Sequence, residues 1–157
     1  MFRGTNDLRN WLSNLNALPE RWPVGGKVHQ GFVDVLDKVW AEVEAAVAAW
    51  GGPVVYTGHS LGAALATLAA SRRAPAALYS FGSPRVGDEA FGRTLDHVPV
   101  HRVVNSEDVV ATVPPSIGSV EFRHVGVTRH LRYDDAPERR WFDPPPAMTL
   151  RWMSPDR

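Results

Sequence analysis

Cysteine is absent from all 157 residues. That absence excludes disulfides and thiolate metal centres and leaves the redox compartment open. Neither sign of charge is in excess, because 17 basic residues face 17 acidic ones and the formal net charge is +0. No field of one sign is available to attract nucleic acid or an anionic membrane. No run of like charges marks an interaction tail. Lysine is scarce, with 2 residues against 15 arginines, and the arginines are scattered, so no basic patch is written into the chain. No apolar stretch approaches a membrane span, and the start, MFRGTNDLRN, lacks the apolar core of a signal peptide. The expectation is a chain without a targeting segment, cytoplasmic by default and secreted if an upstream segment is missing. No cluster of histidines and carboxylates has ligand spacing, so neither a metal nor an organic cofactor is expected. Histidine also runs out early, since residues 131–157 contain none.

A hydrophobic fraction of 44% over 157 residues leaves room for a real core. With no repeat, low-complexity segment or internal boundary, residues 1–157 read as a single domain. The chain is organised around Pro53 to Ala70, PVVYTGHSLGAALATLAA. The apolar run Val54-Val55-Tyr56 stops at Thr57-Gly58, and a helix-forming run rich in Ala and Leu extends from Leu61 to Arg72. Between them Gly58-His59-Ser60-Leu61-Gly62 reads G-x-S-x-G, the pattern of a nucleophile elbow. Such a serine sits in a strained conformation, so the residues two positions away must be small. The helix behind it favours developing negative charge. Taken alone the pattern also fits a plain βα turn, and the flanking strand and helix runs are what favour the elbow.

Ahead of this stretch, Asn6 or Asp7 can cap a short helix carrying Leu8, Trp11, Leu12 and Leu15. Pro19, Pro23 and Gly25-Gly26 then break the chain into loop. Phe32, Val35, Leu36, Val39, Val43, Ala46 and Val47 form one helical stripe, ending near Trp50 at Gly51-Gly52. Beyond it, strands are expected at Ala76 to Phe81 and Val98 to Val104, with a helix over Glu89 to Leu95. This βαβαβ rhythm argues for a parallel sheet with covering helices, whose ligands bind at the carboxyl ends of the strands. Ser60 and Asp108 both fall at that end. Val120 to Tyr133 reads as strand with a break at Gly126, and Asp134 to Pro137 as a turn. Arg139 to Phe142 reads as the return strand of a hairpin.

Several separated blocks resemble the class 3 (fungal-type) lipase family of α/β-hydrolases: FRGT at Phe2 to Thr5, VHQGF at Val28 to Phe32, the elbow stretch, YSFGSPRVGD at Tyr79 to Asp88, and RVVNSEDVV at Arg102 to Val110 followed by RHVG at Arg123 to Gly126. The resemblance covers residues 1 to about 142. It implies an α/β-hydrolase fold, incomplete here, with a parallel central sheet, covering helices and a C-terminal β-hairpin. It also implies a carboxylic ester hydrolase acting on lipid or small esters through an acyl-enzyme. Ser60 would be the nucleophile and Asp108 the triad acid. The backbone N–H groups of Leu61 and Thr5 would form the oxyanion hole. Residues 6–16, centred on Trp11, look like the family's lid, a transient contact with a lipid interface. From the residues alone, the same stripe reads as an ordinary packed helix.

The histidines do not complete this pattern. His59 lies inside the elbow, His29 matches a structural family position, and His97 and His101 precede Asp108, the wrong order for a base. His124 matches the histidine of the HVG block, which in the family precedes the catalytic one, and His130 falls in an alternating strand. The family's catalytic histidine lies downstream of the hairpin, where this sequence has none, and FRGT normally follows a longer strand. The chain is therefore expected to be cut at both ends. His124 and His130 are weak substitutes for the base. Two functional classes stay open: a lipase-like serine hydrolase, or a catalytically impaired hydrolase-like domain that binds without turning over.

Overall fold

Short apolar runs between helix-forming stretches give the expected alternation. A computed structural model describes it for residues 1–2, 18–105, 116–117 and 120–131. Strands β1 (Pro19–Arg21) and β2 (Lys27–His29) form an antiparallel hairpin that leads into helix α1 (Gln30–Trp50). Then follow β3 (Val55–His59), α2 (Leu61–Arg72), β4 (Ala77–Phe81), the short α3 (Glu89–Arg93) and β5 (Val100–Asn105). A two-residue pair, β6 (Ser116–Ile117) with β7 (Val120–Glu121), precedes β8 (Val127–Leu131). The main sheet has the order β3-β4-β5-β8 and is parallel throughout. At its other edge, Phe2 forms a parallel bridge with Gly58, its N–H donating to the Thr57 carbonyl at 2.8 Å.

One face of the sheet, including Tyr56, Leu78 and Val100, packs on α1 and α2 in a single hydrophobic cluster. Helix α2 is buried from Leu61 to Ala70, which explains its run of small side chains: Ala and Gly let the helix lie close to the strands. Its last turn is clamped by Arg72, whose guanidinium lies over the rings of Trp22 (4.9 Å) and Trp40 (5.3 Å) and pairs with Asp37. The Trp22 indole also donates to the Ser71 hydroxyl at 2.9 Å.

Several boundaries differ from the sequence reading for local reasons. β3 runs beyond the apolar stretch that stops at Thr57-Gly58 and ends at His59, because Gly58 and His59 stay in register with Ser80 and Phe81. β5 starts at Val100 and not Val98, since Leu95 to Val98 closes a turn and Pro99 has no N–H to give. α3 ends at Arg93, and Thr94 to His97 continue as turn. The strand reading over Val120 to Tyr133 resolves into β7 and β8, parted at Gly126 with φ 88. In α1, Phe32 and Leu36 are fully buried, but Val39 and Ala46 are exposed. A helix of 21 residues is about 31 Å long, and its second half overshoots the short strands. It stops at Gly51, in the left-handed region with φ 66, as expected. The hairpin expected over residues 134–142 lies outside the described residues.

His29 holds three parts of this frame together. Its Nδ1 accepts the Gly31 N–H at 3.1 Å and caps α1, while its backbone N–H donates to the Val86 carbonyl at 3.0 Å. Its ring, 1% exposed, lies 4.6 Å from Phe32 and 6.1 Å from Phe122. Burial pushes its pKa below the ordinary 6.5, against smaller opposing effects of its own backbone hydrogen bond and Asp34. A pKa depressed in the folded state means that the unfolded chain takes up the proton first. This contribution is therefore complete above about pH 6.5 and lost as pH falls below it toward the folded value. The denaturant midpoint should fall between pH 7.5 and pH 5, and His29→Asn, which keeps an acceptor at the cap, should flatten that slope. An unchanged slope in the variant would contradict the assignment. At Gly58 an added Cβ would lie 2.2 Å from the Gly62 carbonyl oxygen and 2.7 Å from the Ala63 nitrogen, both backbone. Gly58→Ala should cost about 2 to 3 kcal/mol, read as a lower urea midpoint at unchanged slope.

Candidate active site

Ser60 is the residue at which β3 turns into α2. Its φ of 58° and ψ of −123° make it the only non-glycine residue with positive φ among the described residues. Such a conformation costs on the order of 1–3 kcal/mol and persists only where its surroundings impose it. The constraints are visible on both sides. The Ser60 N–H donates to the Phe81 carbonyl at 2.9 Å, and its own carbonyl accepts from Ala63 (3.0 Å) and Ala64 (3.3 Å). Serine at a helix N-terminus normally turns its hydroxyl back onto the helix as a cap, but Ser60 makes no such bond. The hydroxyl is thus not spent on the helix it precedes, and the residue is 4% exposed.

Leu61 is the first residue of α2, so its N–H belongs to the helix-start groups that have no acceptor within the helix. Together with the helix dipole they make this point favourable for an oxyanion. One row back from the end of the sheet, Arg102 donates from Nη2 to the Thr128 hydroxyl at 2.7 Å. Burial, and then the charge of Arg85, both work against its protonated form.

Two of the four residues singled out from the sequence, Ser60 and Leu61, therefore stand together at the carboxyl end of β3. Thr5 and Asp108 lie outside the described residues, as do residues 6–16. Their attachment points are described: Phe2 runs parallel to β3 beside Gly58, and β5 ends at Asn105, so both chains leave the sheet at the end where Ser60 sits. Sequence reasoning missed the Phe81 carbonyl as the anchor of the Ser60 N–H. The block YSFGSPRVGD carried no signal for it, because the bond depends on the register of β3 and β4 and not on the Phe81 side chain.

All six histidines are described. His124 precedes Val127, which pairs with His101 near the start of β5. It lines a cavity of about 580 Å³ with Val98, Pro99 and Val100. That is the amino end of the sheet, and the steps of ~3.3 Å between successive residues of the six-residue β5 put about 16 Å between it and the carboxyl end. His130 pairs with Val104 near the end of β8, at the height of Ser60. Three strand spacings of ~4.8 Å nevertheless keep their backbones about 14 Å apart. His97 lies in the turn before β5, and His101 stacks on Tyr79 with ring centroids 4.7 Å apart. His59 leaves β3 as an exposed side chain and His29 is the buried cap.

Comparison with known proteins agrees with this layout. The model of the family described as Lipase (class 3) matches residues 1–118. A lipase of Rhizomucor miehei is 35% identical over 156 residues, which cover 88% of this chain and 42% of that protein. A secreted mono- and diacylglycerol lipase of Fusarium solani is 38% identical, covering 73% of this chain and 38% of that one. The solved structure of the Rhizomucor miehei triacylglyceride lipase superposes with a TM-score of 0.72 at 34% identity, over 83% of this chain and 55% of that one. A lipase structure from Rhizopus microsporus var. chinensis gives 0.70 at 32% identity, over 85% and 52%. The chain thus spans less than half the length of these sequence relatives. With an elbow serine on a parallel sheet and a match over most of its length, this chain belongs to the class 3 lipase family and carries part of its α/β-hydrolase fold.

Proposed function

We propose that the chain is the nucleophile-bearing part of a carboxylic ester hydrolase for lipid esters, with Ser60 as nucleophile. The carrying observation is the strained Ser60 backbone at the start of α2, with a hydroxyl that does not cap the helix. In the proposed reaction Oγ attacks the ester carbonyl and its proton passes to a base. The oxyanion is held by the N–H groups of Leu61 and Thr5, each worth ~3 kcal/mol of transition-state stabilisation. The alcohol leaves with the proton, and water then releases the acyl group by the reverse path. Asp108 orients the base. The names of the relatives, a mono- and diacylglycerol lipase and a phospholipase A(1) of Arabidopsis thaliana among them, support glycerolipid esters as the substrate class. We extend the proposal to residues 6–16 as the part that meets a lipid interface. Among the described residues no helix is long and apolar enough to cross a membrane.

The placement of the six histidines favours a second statement about this chain by itself. Strand register supports the reading that neither His124 nor His130 takes the Ser60 proton, and a triad enzyme without one member typically loses on the order of 10⁴ to 10⁶ in turnover. By itself, the 157-residue chain should therefore hydrolyse esters close to background.

A fluorophosphonate probe should label the chain slowly, and Ser60→Ala should abolish the labelling. Equal labelling of the variant would end the assignment of the nucleophile. With a short p-nitrophenyl ester, His124→Ala and His130→Ala should each leave the low turnover within about two-fold of the parent. Rapid hydrolysis removed by either substitution would reveal a base where the sheet register forbids one.

A further inference from the structure

A buried positive charge is tolerated where an opposite charge or a full set of acceptors meets it. Arg102 has neither among the described residues. It stands on the helix-covered face of β5, two residues after the core residue Val100. Across the four strands its row reads Gly58, Ser80, Arg102, Thr128. A guanidinium offers five N–H groups in a fixed planar fork. The Thr128 hydroxyl takes one of them, from Nη2 at 2.7 Å. Nε and Nη1 are buried and meet no acceptor among the described residues. No carboxylate among those residues pairs with Arg102. The charge it faces is that of a second cation, Arg85. Arginine does not relieve such a cost by giving up its proton, as a buried lysine can.

We propose that Arg102 anchors a binding site for a small oxyanion of carboxylate size, held between its guanidinium fork and Thr128. The chemistry of the unmet groups selects this ligand. A buried water would supply acceptors but leave the Arg102 charge uncompensated beside that of Arg85. An oxyanion supplies both, because two of its oxygens match adjacent N–H groups of the fork, whereas a halide offers a single point. The Thr128 hydroxyl accepts from Arg102 and keeps its own hydrogen for the anion. Ser80 and Thr128 flank Arg102 in register, and their short side chains leave space for a ligand the size of acetate. The site stands apart from Ser60, since two spacings of ~4.8 Å put about 10 Å between β5 and β3.

Urea unfolding of the full chain at neutral pH, with sodium acetate as probe and the bulky anion MES holding ionic strength, tests the proposal. Acetate at ten times its dissociation constant should lower the unfolding constant about eleven-fold, read as a higher urea midpoint. Chloride in its place should raise the midpoint by less than about half as much, because it cannot bridge two N–H groups. Arg102→Met should lose the gain specific to acetate and, without acetate, match or exceed the parent, since it removes a buried charge. Thr128→Asp, which sets a carboxylate where the hydroxyl meets Nη2, should start from a higher midpoint and respond less. A gain in Arg102→Met equal to the parent's would overturn the proposal and reveal a general salt effect. So would a chloride gain matching that of acetate, or a gain in Thr128→Asp as large as the parent's. These last two comparisons decide the matter if Arg102→Met does not fold. A parent indifferent to acetate would also overturn it, and a destabilised Arg102→Met would then assign the counter-charge to a carboxylate of the chain itself.

Discussion

The close approach of α2 to β3 at Gly58 is the constraint on which the rest depends. There is no room for a Cβ between the strand and the first turn of the helix, so the chain must reverse within a single residue. That residue is Ser60, and the reversal forces it into positive φ. The Phe81 carbonyl and the first turn of α2 hold it there. A serine so placed cannot fold its hydroxyl back as a cap, and the same geometry presents it beside the unpaired N–H groups of a helix start. Packing and backbone strain are one arrangement, and the buried face of α2, built from Ala, Gly and Leu, is what sets its distance.

The parallel register then works as a ruler. It puts the carboxyl ends of β3 and β5 and the Phe2 bridge at one end of the sheet, and it places His124 and the cavity around it at the other. A base has to come within hydrogen-bond reach, ~3 Å, of the hydroxyl it deprotonates. Lateral separation excludes His130 and axial separation excludes His124. On the proposed reading of Ser60 as nucleophile, neither His124 nor His130 stands where it could take the proton.

Much of this was legible in the sequence where the signal is local. The G-x-S-x-G turn between a β-type run and an Ala-Leu helix located Ser60, and the Gly51 stop located the end of α1. Periodicity failed where tertiary scale decides. The stripe through Val39 and Ala46 is as regular as that through Phe32 and Leu36, but only the first half of α1 has a sheet beneath it. Register was not legible at all, because it arises from pairing between strands far apart in sequence. For that reason the amino-end position of His124 and the anchoring of Ser60 by Phe81 emerge only from the fold. The cap made by His29 has no sequence signature either, since histidine is not a usual N-cap and its ring packs against Phe122 as well as the neighbouring Phe32.

The central proposal is that Ser60 is a nucleophile for which none of the six histidines of this chain serves as base, and chemical rescue tests it most directly. Hydrolysis of a short p-nitrophenyl ester should be measured with increasing imidazole, for the chain and for Ser60→Ala, after subtracting the reaction of imidazole itself. The account predicts almost no turnover without imidazole and a rise with it that Ser60→Ala does not share. Full turnover in the absence of imidazole, or identical rates for the chain and Ser60→Ala at every concentration, would contradict it.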